Sequence, residues 1–93
     1  METYVILRRN GWKTPDELAA SGEKSGKVAD EEMPDDIYWL RSYAIEEPDG
    51  GLGTVCIYQA SGPDAIRDHA QRVGMPATEI IPVGQTIVIH TDP

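Results

Sequence analysis

Three side chains in this sequence belong to the types that bind transition metals, namely two imidazoles and one thiol. His69 falls on the apolar stripe of a predicted helix, and Cys56, the single cysteine, lies in an apolar run that predicts a strand. His90 lies near the end of the chain. Neutral imidazole and thiolate are ligands that suit nickel, copper or zinc. His69, His90 and Cys56 are therefore the candidate metal ligands.

Each of these residues also has a plainer interpretation. A buried His69 needs a hydrogen-bond partner, which Tyr43, Tyr58 or a backbone carbonyl would supply. A lone cysteine in an apolar strand is commonly a small core residue, although a neighbouring histidine would make it a nucleophile. His90 has the position of a surface histidine. The sequence has no Cys-x-x-Cys or His-x-x-x-His spacing that would favour a metal site, so both interpretations stay open.

A second group of side chains has the chemistry of a pocket for a small organic molecule. Tyr43 and Tyr58 fall on neighbouring predicted strands, and Arg67 falls on the predicted helix that follows. With His69, they would line a space between the sheet and this second helix and bind a small aromatic or phenolic compound. The alternative is that these side chains only pack against one another.

Composition excludes several classes of partner. The chain has 16 acidic and 8 basic residues and a net charge of −8, so it lacks the cationic surface that nucleic acids and anionic membranes need. One cysteine cannot form an internal disulfide, which favours a reducing compartment. The N-terminal apolar run precedes its basic residues, the reverse of a signal peptide, and no apolar run is long enough to span a bilayer. We expect a cytoplasmic protein.

Helix and strand signals place the candidate residues on defined elements. Thr14 is a predicted N-cap, with Pro15 at the first helical position and Glu17 completing a capping box. Gly74 is the predicted C-cap of the second helix. The sequence predicts strands at about 3–9, 36–46, 53–60 and 78–89. It predicts one helix from Pro15 to about Met33 and a second that begins after Ser61-Gly62-Pro63-Asp64 and continues to Val73. Asn10-Gly11 is expected to end the first strand. Strict alternation along the second strand would put Trp39, Arg41 and Tyr43 on one face.

The order of these elements predicts the fold. Strand, helix, strand, strand, helix, strand is the split βαβ pattern of a ferredoxin-like α+β domain, a four-stranded antiparallel sheet with two helices on one face. We expect residues 1–93 to form one such domain. Two helices cover only one face of the sheet, and the strands carry apolar side chains on both faces. The sequence therefore predicts a homodimer that packs through the open faces of two sheets.

Five short motifs, in this order and spacing, resemble a small bacterial family of ferredoxin-like proteins. They are Thr14-Pro15-Asp16-Glu17-Leu18, Trp39 with Ser42-Tyr43, Cys56-Ile57-Tyr58-Gln59-Ala60, Ile66-Arg67-Asp68-His69-Ala70, and Gly74-Met75-Pro76. The described member of that family is a nickel-binding, nickel-responsive protein. The resemblance implies a cytoplasmic dimer that binds nickel or another transition metal in a buffering or sensing role.

Three functions are thus compatible with the sequence. The first is a transition-metal-binding protein, which the resemblance favours. The second is a cofactor-free dimeric α/β-barrel enzyme acting on a small aromatic molecule. The third is an accessory dimer without catalysis or ligand. The sequence leaves open whether the protein is an enzyme and favours one that is not.

Overall fold

The computed structural model describes residues 1–92, which form four strands and two α-helices in the predicted order. The strands are β1 (Glu2–Trp12), β2 (Ile37–Glu46), β3 (Leu52–Ala60) and β4 (Glu79–Pro82). The helices are α1 (Pro15–Lys27) and α2 (Pro63–Val73), and a π-helical segment, Val28–Glu32, continues α1. All neighbouring strands pair antiparallel in the order β2-β3-β1-β4. The predicted ferredoxin-like α+β fold is confirmed.

The helices begin and end where their local signals predict. The Thr14 side chain accepts a hydrogen bond from the backbone N–H of Glu17, and the Glu17 carboxylate accepts one from the backbone of Thr14. At the end of α2, Gly74 adopts a left-handed conformation with φ of 86°, where glycine has no steric penalty. The helical backbone after α1 ends at Met33, immediately before Pro34.

The core lies between the helices and one face of the sheet. β1 contributes Tyr4 and Ile6, and β3 contributes Cys56 and Tyr58. In α2, the buried side chains recur at the predicted helical spacing; they are Ile66, His69, Ala70 and Val73. The opposite face, here called the outer face, carries no helix. Its central side chains are only partly covered; they are Val5, Leu7, Val55 and Ile57.

Two strand boundaries differ from the prediction. β1 continues past Asn10 to Trp12, because Asn10 takes a positive φ of 54° and its pairing with β3 shifts register between Arg8 and Trp12. β4 is short and ends at Pro82. Proline has no N–H to donate to a sheet ladder, so it terminates regular pairing at this edge strand.

The predicted face assignment of β2 is wrong, because the strand contains a bulge. Trp39 pairs with Tyr58, but the next partner, Ile57, pairs with Arg41, which leaves Leu40 as an extra residue. Trp39 therefore lies on the helix side, whereas Arg41 and Tyr43 lie on the outer face.

No helix among residues 1–92 has the length and apolar character needed to cross a bilayer.

Candidate functional site

A cavity of about 240 Å³ separates α1 from the helix side of the sheet. Small residues on both walls leave room for it. Leu18, Gly22 and Ser25 recur at helical spacing on α1 and line one wall. The opposite wall includes other short side chains, which come from β2 and β3; they are Ser42, Ala44, Thr54 and Cys56. The larger side chains that line the cavity are Trp12, Trp39, Tyr58 and Met75. The space is thus mostly apolar.

Arg8 is the charged residue of this cavity. It lies on β1 in phase with the core residue Ile6, and none of its surface is exposed. Its Nη1 donates a hydrogen bond to the carbonyl of Pro76 at 2.8 Å. Its guanidinium carbon lies 5.6 Å from the centroid of the Tyr58 ring, within the range of a cation–π contact.

The remaining edge of this guanidinium, Nε and Nη2, has no hydrogen-bond partner among the described residues. We call these two nitrogens the free edge of Arg8. No carboxylate of residues 1–92 forms an ion pair with Arg8. A buried cation without such a partner is costly, so the free edge is a strong site for an acceptor.

In the wall of the cavity, Ser25 connects an aromatic and an imidazole side chain. Its hydroxyl lies 3.1 Å from the hydroxyl of Tyr58, and its carbonyl accepts a hydrogen bond of 3.1 Å from Nε2 of His69. Because a carbonyl only accepts, Nε2 carries the proton. Burial raises the pKa of Tyr58 and lowers that of His69, so both side chains are neutral at neutral pH.

The three candidate metal ligands lie in different surroundings. His69 is fully buried in α2, and its Nδ1 has no partner among the described residues. Cys56 is buried in β3, with its Sγ 3.3 Å from Oγ1 of Thr54. His90 is exposed in the segment after β4. Within residues 1–92, no three or more His, Cys, Asp or Glu side chains are grouped so that they would hold a metal ion.

The residues predicted to line an organic pocket are also dispersed. Tyr58 lines the cavity beside α1. Tyr43 lies on the outer face, where it and Arg41 both donate hydrogen bonds to Asp92. Arg67 is exposed on α2 and pairs with Asp64 at 2.7 Å. The cavity therefore adjoins the first helix, whereas the sequence predicts a space beside the second.

Sequence reasoning missed Arg8, the residue with the most unusual environment. A signal was present, because Tyr4, Ile6 and Arg8 alternate along one face of a strand. A cation in phase with two core residues marks a buried charge, whereas the apolar residues of this run alone predict only a buried strand.

Comparison with known proteins places this fold in a family. Residues 4–83 match the family model of the nickel-responsive SCO4226-like proteins. The chain belongs to this family. The resemblance inferred from the five motifs is thereby confirmed, and the matched segment runs from β1 through β4.

A solved structure shares the fold of this SCO4226-like chain. The crystal structure of SCO4226 from Streptomyces coelicolor A3(2) superposes with a TM-score of 0.70 and covers 91% of this chain and 99% of that chain. The two sequences are 19% identical, so the likeness shows a common fold. No curated protein matches the chain.

Proposed function

We propose that this protein is a small cytoplasmic homodimer that binds a transition metal, nickel foremost, in a buffering or sensing role. The observation that carries the proposal is the match of residues 4–83 to a nickel-responsive family. The single cysteine is buried and unpaired, which agrees with a reducing compartment.

One chain offers an incomplete ligand set, and this directs the proposal toward a second copy. Transition metals in proteins are usually held by at least four ligands, of which three or more are commonly side chains. No such group of His, Cys, Asp and Glu occurs within residues 1–92. We therefore place the metal between two chains, where each contributes part of the coordination.

The segment after β4 is the best candidate for this contribution. We call residues 83–92 the tail. It begins beside β1, where the Val83 N–H bonds to the carbonyl of Thr3, and ends beside β2, where Asp92 contacts Arg41. Since β4 and β2 are opposite edges of the sheet, the tail spans the sheet's width. His90 lies on it with an exposed imidazole.

His90 is accordingly the leading ligand in this proposal, and two copies would bring their imidazoles together near the symmetry axis. It lies beyond the residues that match the family, so its assignment depends on the tail alone. His69 and Cys56 are buried, and the core around them would have to open before either side chain ligated a metal.

Calorimetric titration of the full chain with nickel chloride, followed by dialysis and elemental analysis, tests the proposal. We expect stoichiometric nickel in the wild type. His90→Ala should weaken binding by about tenfold or more, because it removes a ligand that the remaining donors cannot replace. Thr91→Ala, which changes the adjacent exposed side chain, is the matched control and should bind as the wild type does.

His69→Gln and Cys56→Ala, measured in the same way, test the buried donors. Nickel binding that is unchanged in both variants would leave the tail as the source of ligands. A wild type that retains no nickel after dialysis would contradict the metal-binding proposal and would favour an accessory dimer.

A further inference from the structure

The cavity beside α1 has the features of a binding site that is separate from the proposed metal. It combines an apolar wall with one fully buried cation, and that cation has two N–H donors without a partner among the described residues. A buried donor that lacks an acceptor costs free energy, whereas an acceptor supplied by a ligand satisfies it.

The two unused nitrogens are also the pair that binds carboxylates elsewhere in this molecule. Arg9 binds Glu47 through Nε and Nη2 at 2.8–3.1 Å, and Arg72 binds Asp68 through the same two nitrogens at 3.0 and 3.1 Å. Arg8 instead uses Nη1 for a backbone carbonyl. Its free edge therefore has the fork geometry that accepts a carboxylate with two parallel hydrogen bonds.

The rest of the cavity defines the body of the ligand. Trp12, Trp39 and Tyr58 line it, and they favour a flat aromatic ring. The volume of about 240 Å³ lies below the ~300–1,000 Å³ of sites for drug-sized molecules, so the ring system is small. Other charged side chains do not line the space, which excludes a ligand with several charges.

We infer that this cavity binds a small aromatic carboxylate, with the carboxylate on the free edge of Arg8 and the ring in the apolar part of the cavity, beside Trp12 and Trp39. This site does not involve nickel, so its test is independent of the test of the proposed metal function. It differs from the pocket predicted from the sequence, because it lies against the first helix and uses neither Tyr43 nor Arg67.

Intrinsic fluorescence reports this binding directly, since the chain has two tryptophans and both line the cavity. The metal-free full chain is titrated with benzoate and phenylacetate. Benzamide serves as the uncharged analogue, acetate as the carboxylate without a ring, and phosphate as the inorganic anion. We expect saturable binding of at least one aromatic acid at one molecule per chain, with all three comparison compounds weaker by about tenfold or more.

Variants separate a binding role of Arg8 from a structural one. Arg8→Met removes the donors, and Arg8→Lys keeps the charge but not the fork, so both should weaken binding by about tenfold or more. Arg67→Met removes an exposed arginine of α2 and should leave binding unchanged. Removing an unpaired buried charge is often neutral or stabilising, so Arg8→Met should unfold at the same or a higher temperature. Aromatic acid should raise the unfolding temperature of the wild type and of Arg67→Met, but not that of the Arg8 variants.

Gly22→Leu provides a second test that leaves Arg8 intact. A Cβ at Gly22 meets only the Trp39 ring, at 4.0 Å, so the larger side chain has room to extend into the cavity and should abolish binding in a folded protein. The inference is overturned if neither aromatic acid binds saturably, if benzamide, acetate or phosphate binds as tightly, or if the folded Arg8 variants bind like the wild type.

Discussion

Two adjacent arginines of β1 show how the position of one residue along a strand sets its chemistry. The side chain of Arg9 is half-exposed and binds the buried carboxylate of Glu47, which also accepts a hydrogen bond of 2.6 Å from the backbone N–H of Asn10. The Arg9 guanidinium holds the pKa of Glu47 below its ordinary value. Arg8 points to the opposite face and is buried without a carboxylate. Successive side chains of a strand point to opposite faces of the sheet. For this reason Arg9 forms an ion pair, whereas Arg8 lines a candidate ligand site.

His69 gives a prediction at the same scale. Burial lowers its pKa in the folded state, and Arg8 and Arg72 act in the same direction; the Ser25 carbonyl and Asp68 oppose them. As the pH falls below 6.5, the ordinary pKa of histidine, the unfolded chain binds a proton at residue 69, whereas His69 of the folded chain stays neutral. Neutral His69 therefore makes its full contribution to the free energy of unfolding above pH 6.5, and this contribution is lost progressively as the pH falls toward the folded-state pKa.

Chemical denaturation between pH 7.5 and about 5.5, where histidines titrate, tests this expectation. The free energy of unfolding of the wild type should decrease over this interval. His69→Gln keeps a donor for the Ser25 carbonyl and does not titrate, so its profile should be flatter. His90→Gln removes an exposed imidazole and should keep the wild-type slope. Equal slopes in His69→Gln and the wild type would contradict the assignment.

At the scale of elements, close approach of the backbone explains the glycine at position 53, the second residue of β3. A Cβ on Gly53 would lie 2.6 Å from the carbonyl oxygen of Arg8 and 3.0 Å from Oε2 of Glu47. This contact lies beside the register shift of β1 between Arg8 and Trp12. β3 thus approaches the irregular part of β1 only because residue 53 has no side chain.

Gly53→Ala should therefore lower the free energy of unfolding by about 1–3 kcal/mol, since the added carbon overlaps a backbone oxygen that cannot move freely. Denaturant titration measures the effect. The pairing of β1 with β3 beside Arg8 should be disturbed as well, together with the position of the Glu47 carboxylate.

Gly26→Ala is the matched control, because it makes the same chemical change on α1. There the new carbon would lie 3.9 Å from the Trp39 ring, an ordinary van der Waals contact. Alanine favours a helix interior over glycine, so this variant should gain about 0.5–1 kcal/mol. If the two substitutions had the same effect, the close approach at Gly53 would not limit stability.

At the scale of the whole molecule, apolar side chains remain exposed on the side of the sheet that carries no helix. The outer face is only partly covered, and the tail adds Ile87, Val88 and Ile89, which are 76%, 68% and 78% exposed. Three consecutive exposed apolar residues on an extended segment are unfavourable in water and typical of a contact with another chain. A second copy of the chain, which presents the same surface, is the occupant that we propose.

Analytical ultracentrifugation tests this homodimer. The wild type should sediment as a dimer, and the double variant Ile87→Asp/Ile89→Asp should sediment as a monomer. Gln85→Asp/Thr86→Asp adds the same charge to exposed polar positions of the tail and should remain dimeric. A wild type that is monomeric at its highest soluble concentration would contradict the proposed interface and the metal site between chains.

The sequence by itself determined the elements whose signals are local. The capping box of Thr14 and Glu17, the C-cap at Gly74 and the buried stripe of α2 all depend on residues within a few positions of each other. Local hydrogen bonds and helical spacing therefore fixed the element order, and the order fixed the ferredoxin-like fold.

Only the tertiary structure decided which side chains share a site. The bulge at Leu40 moved Trp39 to the helix side and Arg41 to the outer face, and it arises from pairing with a distant strand. The cavity around Arg8 depends on small residues of α1 and the sheet meeting across the core. Register and voids are set by contacts between segments far apart in the chain, so no pattern within one segment reveals them.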